Sequence, residues 1–196
     1  MGETALELAV RYGRDSVLEL LLESGVDVTM PNSGGQSAFH TAAAAGQYKA
    51  LRTIMPYTTL TATQMKDKQG RTPLHSCAEG DFWQVLDILV EYDRLRLSDI
   101  DVQDLQGRTA LHAAAEANAL RVARKLIELG ADAAAVDFSN VSVLGLAARQ
   151  SNSEPLVNLL LANQMTQVDR ADNNGVTPLM AACMSQVRPP HLPARR

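Results

Sequence analysis

The sequence predicts an all-α fold in which helix–turn–helix units stack into a solenoid and are joined by β-hairpin-like finger loops. Three observations predict it. A ten-residue segment that begins with Thr or Ser recurs six times, a turn of the type Asp-x-x-Gly precedes most copies, and a leucine-rich helical segment follows most of them. Apolar residues make up 46% of the 196 residues and aromatic residues only 4%, which favours close packing of small and aliphatic side chains.

The recurring segment starts at six positions that are 33 to 37 residues apart. These are Thr4, Ser37, Thr72, Thr109, Ser142 and Thr177. Self-similarity at such a period is typical of solenoids, in which each repeat contacts only its neighbours. We therefore predict one array over residues 1–188, with copies one to six at 1–31, 32–66, 67–103, 104–136, 137–171 and 172–188, the first and last incomplete. A tail rich in Pro and Arg, residues 189–196, is expected to be flexible.

The turn before each copy has a local physical cause. In "DKQG" (67–70) and "DLQG" (104–107), the Asp side chain can bond nearby backbone N–H groups, and Gly permits a positive φ without a Cβ clash. Asn140 stands where Gly is expected, and Asn tolerates the same left-handed conformation. We expect these turns to form the finger loops.

The two helices of each copy follow from the residues after the turn. The Ser or Thr that opens each segment can cap the first helix, and Pro73 and Pro178 then occupy its favoured first position. Alanines in the first helix allow neighbouring copies to approach closely, and leucines at helical spacing bury the second helix. Gly25 and Gly130 are predicted to end second helices.

Extra residues lie between the second helix and the next turn, at 57–66 and 91–102. Insertions in solenoids go to loops and leave the stack undisturbed. The 91–102 segment alternates charged and apolar residues, so it either lengthens the second helix or projects as a loop.

These motifs identify a family resemblance. "TPLHSCAEGD" from Thr72 and "TALHAAAEAN" from Thr109 resemble the ankyrin repeat, which has a period of about 33 and a T-P-L-H-x-A core. The resemblance runs from Gly2 to about Gln186. It implies a protein-binding scaffold, and it implies that the histidines of the motif make hydrogen bonds between repeats. These histidines are His40, His75 and His112.

The residue types that suggest chemistry do not form a reactive constellation. The three motif histidines should lie one repeat apart, whereas a catalytic or metal site needs groups that converge on one point. Cys77 and Cys183 fall where the repeat has alanine, and the sequence contains no C-x-x-C, nucleotide-binding loop or calcium loop. We therefore predict no catalytic, metal-binding or cofactor-binding residue and no cofactor, and we expect that the chain is not an enzyme.

The charge and the cysteine content limit the kinds of partner and the cellular compartment that we expect for the chain. The net charge is −4 and the pI is about 5.5, which argues against direct binding of nucleic acid. No apolar run approaches the ~20 residues of a membrane span. Two cysteines make no disulfide framework, so we expect a reducing compartment, the cytoplasm or the nucleus.

Positions that the repeat leaves free should carry the function. These lie at the finger tips and at the exposed ends of the first helices, which line the concave binding surface of a solenoid. The candidate partner-binding residues are Arg71, Glu79, Leu105, Arg108, Glu116, Phe138, Val141 and Arg149. Leu105 and Phe138 are apolar where the turn favours polar residues, and aromatic and Arg side chains are frequent interface anchors. The alternative is that Phe138 packs sideways onto its own hairpin.

The sequence thus predicts a non-catalytic module that binds a partner protein or peptide on its concave face and finger loops. The alternative is a regulatory or substrate-docking segment of a larger enzyme, receptor or channel. In addition, "PHLPAR" (190–195) fits a P-x-x-P-x-[RK] ligand of SH3 domains, so the tail is a candidate SH3 ligand.

Overall fold

The computed structural model describes residues 2–58, 65–93, 100–163 and 167–186, and it confirms the predicted all-α solenoid. The described residues form eleven α-helices: α1 (Ala5–Arg11), α2 (Asp15–Glu23), α3 (Ala38–Ala44), α4 (Tyr48–Ile54), α5 (Pro73–Glu79), α6 (Trp83–Asp93), α7 (Ala110–Glu116), α8 (Leu120–Glu128), α9 (Val143–Ala148), α10 (Glu154–Leu161) and α11 (Pro178–Gln186). A 3-10 turn, Met55–Tyr57, follows α4. Within these ranges, β-structure is limited to one bridge between Val136 and Ser142.

The helices form two stacked layers. The first helices of the copies, α1, α3, α5, α7, α9 and α11, each pack on the next in that order. The second helices, α2, α4, α6, α8 and α10, stack in the same way behind them. This nearest-neighbour arrangement places equivalent residues of successive copies in rows, one row for each position of the repeat.

Small side chains in the first layer and leucines in the second form the core. Ala43, Ala78 and Ala115 occupy one repeat position on α3, α5 and α7 and are fully buried. Leu86 on α6 and Leu126 on α8 are also fully buried. Each buried leucine contributes about 1.5–3 kcal/mol relative to an exposed one.

Both predicted helix boundaries are confirmed. Pro73 and Pro178 are the first residues of α5 and α11. Gly25 and Gly130 follow second helices with φ of +79° and +95°, a region that glycine enters without steric cost. The start of the 91–102 segment lengthens the second helix, since α6 continues to Asp93. Residues 59–64, 94–99 and the tail 189–196 lie outside the described residues.

The finger turns have the predicted hydrogen bonds. Asp67 Oδ1 accepts from the backbone N–H of Gln69 at 2.9 Å and of Arg71 at 2.8 Å. Gly70 has a φ of +75°, and Asn140, which replaces this glycine in copy five, has a φ of +59°. Asp104, Asp137 and Asp172 accept the equivalent pairs of bonds. The finger conformation is therefore set within each five-residue turn.

Candidate functional site: the finger loops and the adjoining groove

The motif histidines connect neighbouring copies. His40 Nε2 lies 3.0 Å from the carbonyl oxygen of Arg71, and His75 Nε2 lies 3.0 Å from that of Arg108. The Nδ1 atom of each ring accepts from the backbone N–H of the residue that caps its helix, at 3.1 Å. His112 Nδ1 makes the same capping bond, but its Nε2 has no hydrogen-bond partner among the described residues. These contacts give the histidines a structural role.

Burial keeps these rings uncharged. Desolvation lowers the pKa of His40 and His75, and it lowers the pKa of His112 to about 4. A neutral imidazole can accept a bond at Nδ1 while it donates from Nε2, which is the state that both contacts of the motif require. His40 and His75 are therefore held in the tautomer that connects two copies.

Neither cysteine belongs to a group of potential ligands. Cys77 is fully buried, and desolvation raises its pKa to about 12, so its thiol is protonated and unreactive at neutral pH. Cys183 is exposed on α11. Across the described ranges, no three His, Cys, Asp or Glu side chains lie close enough together to hold a metal ion. No helix within the same ranges is long and apolar enough to cross a bilayer.

The finger tips form a continuous row. The backbone N–H of each tip residue donates to a carbonyl of the preceding finger. The bonds are Lys68 to Gly34 at 3.1 Å, Leu105 to Gln69 at 2.9 Å, Phe138 to Gln106 at 2.9 Å and Asn173 to Ser139 at 3.0 Å. We call Lys68, Leu105, Phe138 and Asn173 the finger-tip row. These bonds fix the fingers of copies two to six relative to one another.

Leu105 and Phe138 are the two apolar members of this row, and each is 69% exposed. The Phe138 ring lies against Gly107 of the preceding finger, because a Cβ at Gly107 would lie 2.5 Å from Phe138 Cδ1. The ring thus contacts the neighbouring finger, and much of its surface stays accessible to solvent. At Gly70 it is the backbone of the next finger that comes close, since the backbone N of Leu105 lies 3.1 Å from the Cβ position of Gly70.

Ion pairs connect the fingers to the first helices. Arg71 pairs with Glu79 at 2.6 Å, and Arg108 pairs with Glu116 at 2.8 Å. Arg108 Nε also lies 3.4 Å from Oδ2 of Asp137 in the next finger. These four predicted partner-binding residues therefore neutralise one another in pairs. A charge pattern at i and i+8 that recurs in two copies is the sequence signal that could have revealed this.

The last two predicted partner-binding residues, Val141 and Arg149, differ from the Arg–Glu pairing of copies three and four. Val141 stands where Arg71 and Arg108 stand in copies three and four, and it is half-buried against the core. Arg149 stands where those copies have Glu, and its Nη2 lies 3.3 Å from Oδ2 of Asp172 in the sixth finger. We call the surface between the finger turns and the ends of the first helices the groove. Its charge pattern changes at copy five.

Sequence reasoning missed Arg170, which lies beside this part of the groove. Its Nη2 and Nε donate to Oδ1 of Asn140 at 2.7 and 3.1 Å, and its Nη1 donates to Oε1 of Gln167 at 3.5 Å. Asn140 Nδ2 in turn donates to the Ala171 carbonyl at 2.6 Å. No repeated motif marks Arg170, so the sequence alone offered no signal for it.

The second helices carry a further basic cluster, Arg121, Arg124 and Lys125, whose simplest interpretation is a solvated outer face. Arg121 Nε lies 2.9 Å from Oδ2 of Asp81, and Lys125 pairs with Asp87, both acids belonging to the preceding copy. Two of the three cations are thus engaged in contacts between copies. This supports the interpretation of this face as a solvated outer surface.

The stacked helix pairs and the finger loops define a repeat scaffold. Comparison with known protein families shows which family it belongs to. The family described as "Ankyrin repeats (3 copies)" matches residues 39–137, and "Ankyrin repeats (many copies)" matches residues 6–54. The chain belongs to the ankyrin-repeat family.

The chain is also similar to parts of much larger proteins. It is 31% identical over 181 residues to neurogenic locus notch homolog protein 1 of Xenopus tropicalis. It is 32% identical over 178 residues to the protein of that name from Danio rerio, and 31% identical over 181 residues to the one from Homo sapiens. These alignments cover 91–92% of the chain and 6% of each relative. The chain therefore spans a small fraction of the length of these relatives.

Proposed function

We propose that this chain is a non-catalytic protein-interaction module whose partner protein or peptide binds the finger loops and the groove of copies three to five. The exposure of Leu105 and Phe138 carries the proposal. Two large apolar side chains lie side by side in consecutive fingers, each 69% exposed, on loops whose backbone is fixed by the finger-tip row. Such anchors on a pre-organised surface are typical of binding sites.

The surrounding charges indicate the kind of partner. Arg71 and Arg108 are paired with Glu79, Glu116 and Asp137, so these pairs leave no excess of positive charge in this part of the groove. A polyanion such as nucleic acid would find no excess of cations here, whereas a peptide with apolar side chains would lose little on desolvating these residues. The proposed partner is therefore an extended or helical protein segment with apolar anchor residues.

Panning a random peptide library against the chain tests this function. We expect selected peptides to bind the wild type and to bind Leu105→Ala/Phe138→Ala at least about tenfold more weakly, since losing two anchors costs well over the ~1.4 kcal/mol of a tenfold change. Thermal unfolding of that variant should shift little. The matched control is Leu20→Ala/Tyr57→Ala, which removes an exposed leucine and an exposed aromatic away from the fingers. Equal losses in both variants, or no enriched peptide, would contradict the proposal.

We also propose that the chain is the ankyrin segment of a larger receptor, where it serves a regulatory or docking role. The similarity to 6% of the length of the notch homologues supports this. Sequencing the complete transcript tests it, and a reading frame without further domains would contradict it.

For location, we propose the cytoplasm or the nucleus. Cys77 and Cys183 are both free thiols, as a reducing compartment allows. Microscopy of the tagged chain tests this, and its accumulation in the secretory pathway would contradict it. The candidate SH3 ligand at 190–195 lies outside the described residues and stays a sequence prediction, to be tested by titrating the tail peptide with SH3 domains.

A further inference from the structure

The junction between copies five and six lacks the side chain that fills the equivalent place elsewhere. Gly145 occupies the position of His40, His75 and His112, all of which are buried between copies. The structure has a cavity of about 10 Å³ beside it, which is room for about one water molecule or one carboxylate oxygen. We call this cavity the notch, in the sense of a small recess and without reference to the notch homologues. Its lining residues are Val141, Ser142, Gly145, Arg149, Arg170, Asp172, Val176, Thr177, Pro178 and Ala181.

Two arginines and one carboxylate line the notch. Asp172 Oδ1 accepts from the backbone N–H groups of Asn174 and Val176 as part of its finger turn, at 2.8 and 2.9 Å. Its other oxygen receives the single bond from Arg149, at 3.3 Å. The acid thus has little capacity left for a second cation, and the net charge of the lining is +1.

Arg170 is the cation without a carboxylate. All of its hydrogen bonds in the described part of the chain go to the neutral amide oxygens of Asn140 and Gln167. These amides orient the guanidinium but do not neutralise it. Arg149 keeps 43% of its side chain exposed. Both groups are therefore positioned to accept a further anion at modest cost in desolvation.

Copies three and four have no such charge. There the finger Arg and the helix Glu pair across the groove, at 2.6 and 2.8 Å. In copy five, Val141 removes the finger cation and Arg149 replaces the helix Glu by a cation, so the helix cannot pair with the finger of its own copy, and Arg149 contacts Asp172 of the sixth finger instead. Copy five also contributes Phe138, the exposed aromatic of the finger-tip row.

We propose that the notch binds a carboxylate of the partner, an Asp or Glu side chain held by Arg149 and Arg170, while an apolar side chain of the same segment packs on Phe138 and Leu105. This rests on the proposed peptide-binding function and specifies its ligand. Arg and carboxylate have matching planar geometry and form strong charge-assisted bonds. One carboxylate oxygen fits the notch, and the lining is left neutral.

The test uses the peptides selected from the random library on the intact chain. We expect them to share an acidic residue at a fixed distance from an apolar one. Replacing that acid by its amide should weaken binding to the wild type by about tenfold, the effect of losing one charge-assisted pair. The same replacement should have almost no effect on binding to Arg149→Gln or Arg170→Gln. Gly145→His, which fills the notch and moves Arg149 towards solvent without removing either arginine from the chain, should remove the acid preference as well.

Arg52→Gln is the matched control, because Arg52 is an exposed arginine that pairs with Glu91 on the second helices. It changes the net charge equally and should leave the acid preference intact. Circular dichroism confirms that each variant is folded before binding is measured.

Two outcomes overturn the carboxylate site and leave the peptide-binding function standing. One is a set of peptides that depend on Leu105 and Phe138 but show no acid preference. The other is an acid preference that Arg149→Gln and Arg170→Gln do not change. A phosphoserine peptide that binds more tightly than its Glu counterpart assigns the notch to phosphate instead and overturns the carboxylate assignment. If no peptide depends on the fingers, the proposed function fails, and this inference fails with it.

Discussion

Gly145 in copy five takes the place that histidine holds in copies two to four, and we predict that Gly145→His stabilises the array. In copy three, the ring of His75 accepts from the backbone N–H of Thr72 at 3.1 Å and donates to the Arg108 carbonyl at 3.0 Å. A histidine at 145 would have the N–H of Ser142 and the carbonyl of Val176 in the equivalent places. The two copies would then share one more hydrogen bond, in addition to those between Asn173 and Ser139 and between Arg149 and Asp172.

The structure has room for the new side chain. A Cβ at Gly145 meets Ser142 Oγ at 3.3 Å and Val141 Cγ1 at 3.8 Å, so a small movement of a hydroxyl suffices. The ring exceeds the cavity of about 10 Å³, and we expect the half-exposed Arg149 to move towards solvent to admit it. Gly145 is helical, so no left-handed backbone opposes the change.

The expected magnitude separates two contributions. Gly145→Ala should raise the free energy of unfolding by about 0.5–1 kcal/mol, because glycine is the more costly residue inside a helix. Gly145→His gains about 0.3–0.5 kcal/mol from the same source and about 0.5–1.5 kcal/mol from each of two hydrogen bonds, about 1.3–3.5 kcal/mol in total. The difference between the two variants therefore measures the two hydrogen bonds of the ring, one within copy five and one to copy six.

Urea unfolding followed by far-UV circular dichroism, at a pH above 7 where the ring is neutral, gives these values. The midpoint should rise in the order wild type, Gly145→Ala, Gly145→His, with an unchanged slope. If Gly145→His is no more stable than Gly145→Ala, the hydrogen bond between copies does not form. The motif histidine would then be worth no more than its helix propensity at this junction.

Three further predictions concern buried or capping groups. Glu7 holds the histidine position in copy one, and its buried Oε1 has no hydrogen-bond partner in the described residues. The amide of Glu7→Gln can donate towards the Gln36 carbonyl. This variant should therefore raise the free energy of unfolding by about 1 kcal/mol. Burial lowers the pKa of His112 to about 4 in the folded chain, so the unfolded chain takes up a proton first as the pH falls. The free energy of unfolding should therefore be highest above about pH 6.5. Between pH 6.5 and pH 4 it should fall by up to about 1.4 kcal/mol per pH unit. Asp81 has a φ of +53° and accepts a hydrogen bond from the Val122 N–H at 2.9 Å. Asn tolerates this backbone conformation and can accept the same bond, so Asp81→Asn should lower the free energy of unfolding by under about 1 kcal/mol. Ala can do neither, so Asp81→Ala should lower it by about 2–3 kcal/mol.

Urea unfolding also checks these three, each with its own control. Glu7→Ala should destabilise the chain, and a Glu7→Gln variant less stable than the wild type would show that Oε1 has a partner in solution. His112→Gln should lose part of the dependence on pH, and an unchanged slope in that variant would assign the effect to other groups. Equal losses for Asp81→Asn and Asp81→Ala would mean that the cap at α8 contributes nothing.

The repeat itself could be predicted because its causes are local. The finger turn around Asp67 depends on bonds that span two and four residues, and the helix start at Pro73 depends on residues next to it. Because these local signals recur along the chain, each copy supports the same fold prediction. Fold class and the structural role of the histidines were therefore accessible from the sequence.

The candidate site was accessible in part. Free positions such as Leu105 and Phe138 follow from the phase of the repeat, and the structure shows both side chains exposed. The recurring charge pattern at i and i+8 hints that Arg71 and Glu79 pair, but the pairing depends on how the helix cap and the helix between them fold. Which charges remain available to a partner depends on distances across the groove, and the sequence does not contain these.

The sequence by itself determined that this protein is a stack of ankyrin repeats, since turns, caps and apolar spacing act within a few residues of the chain. Only the tertiary structure decided where an unneutralised charge lies. Arg149 and Arg170 come from different parts of copy five, and they meet at the notch beside Gly145 because the sixth finger stacks on the fifth. Neighbouring copies create that environment, and no single copy encodes it.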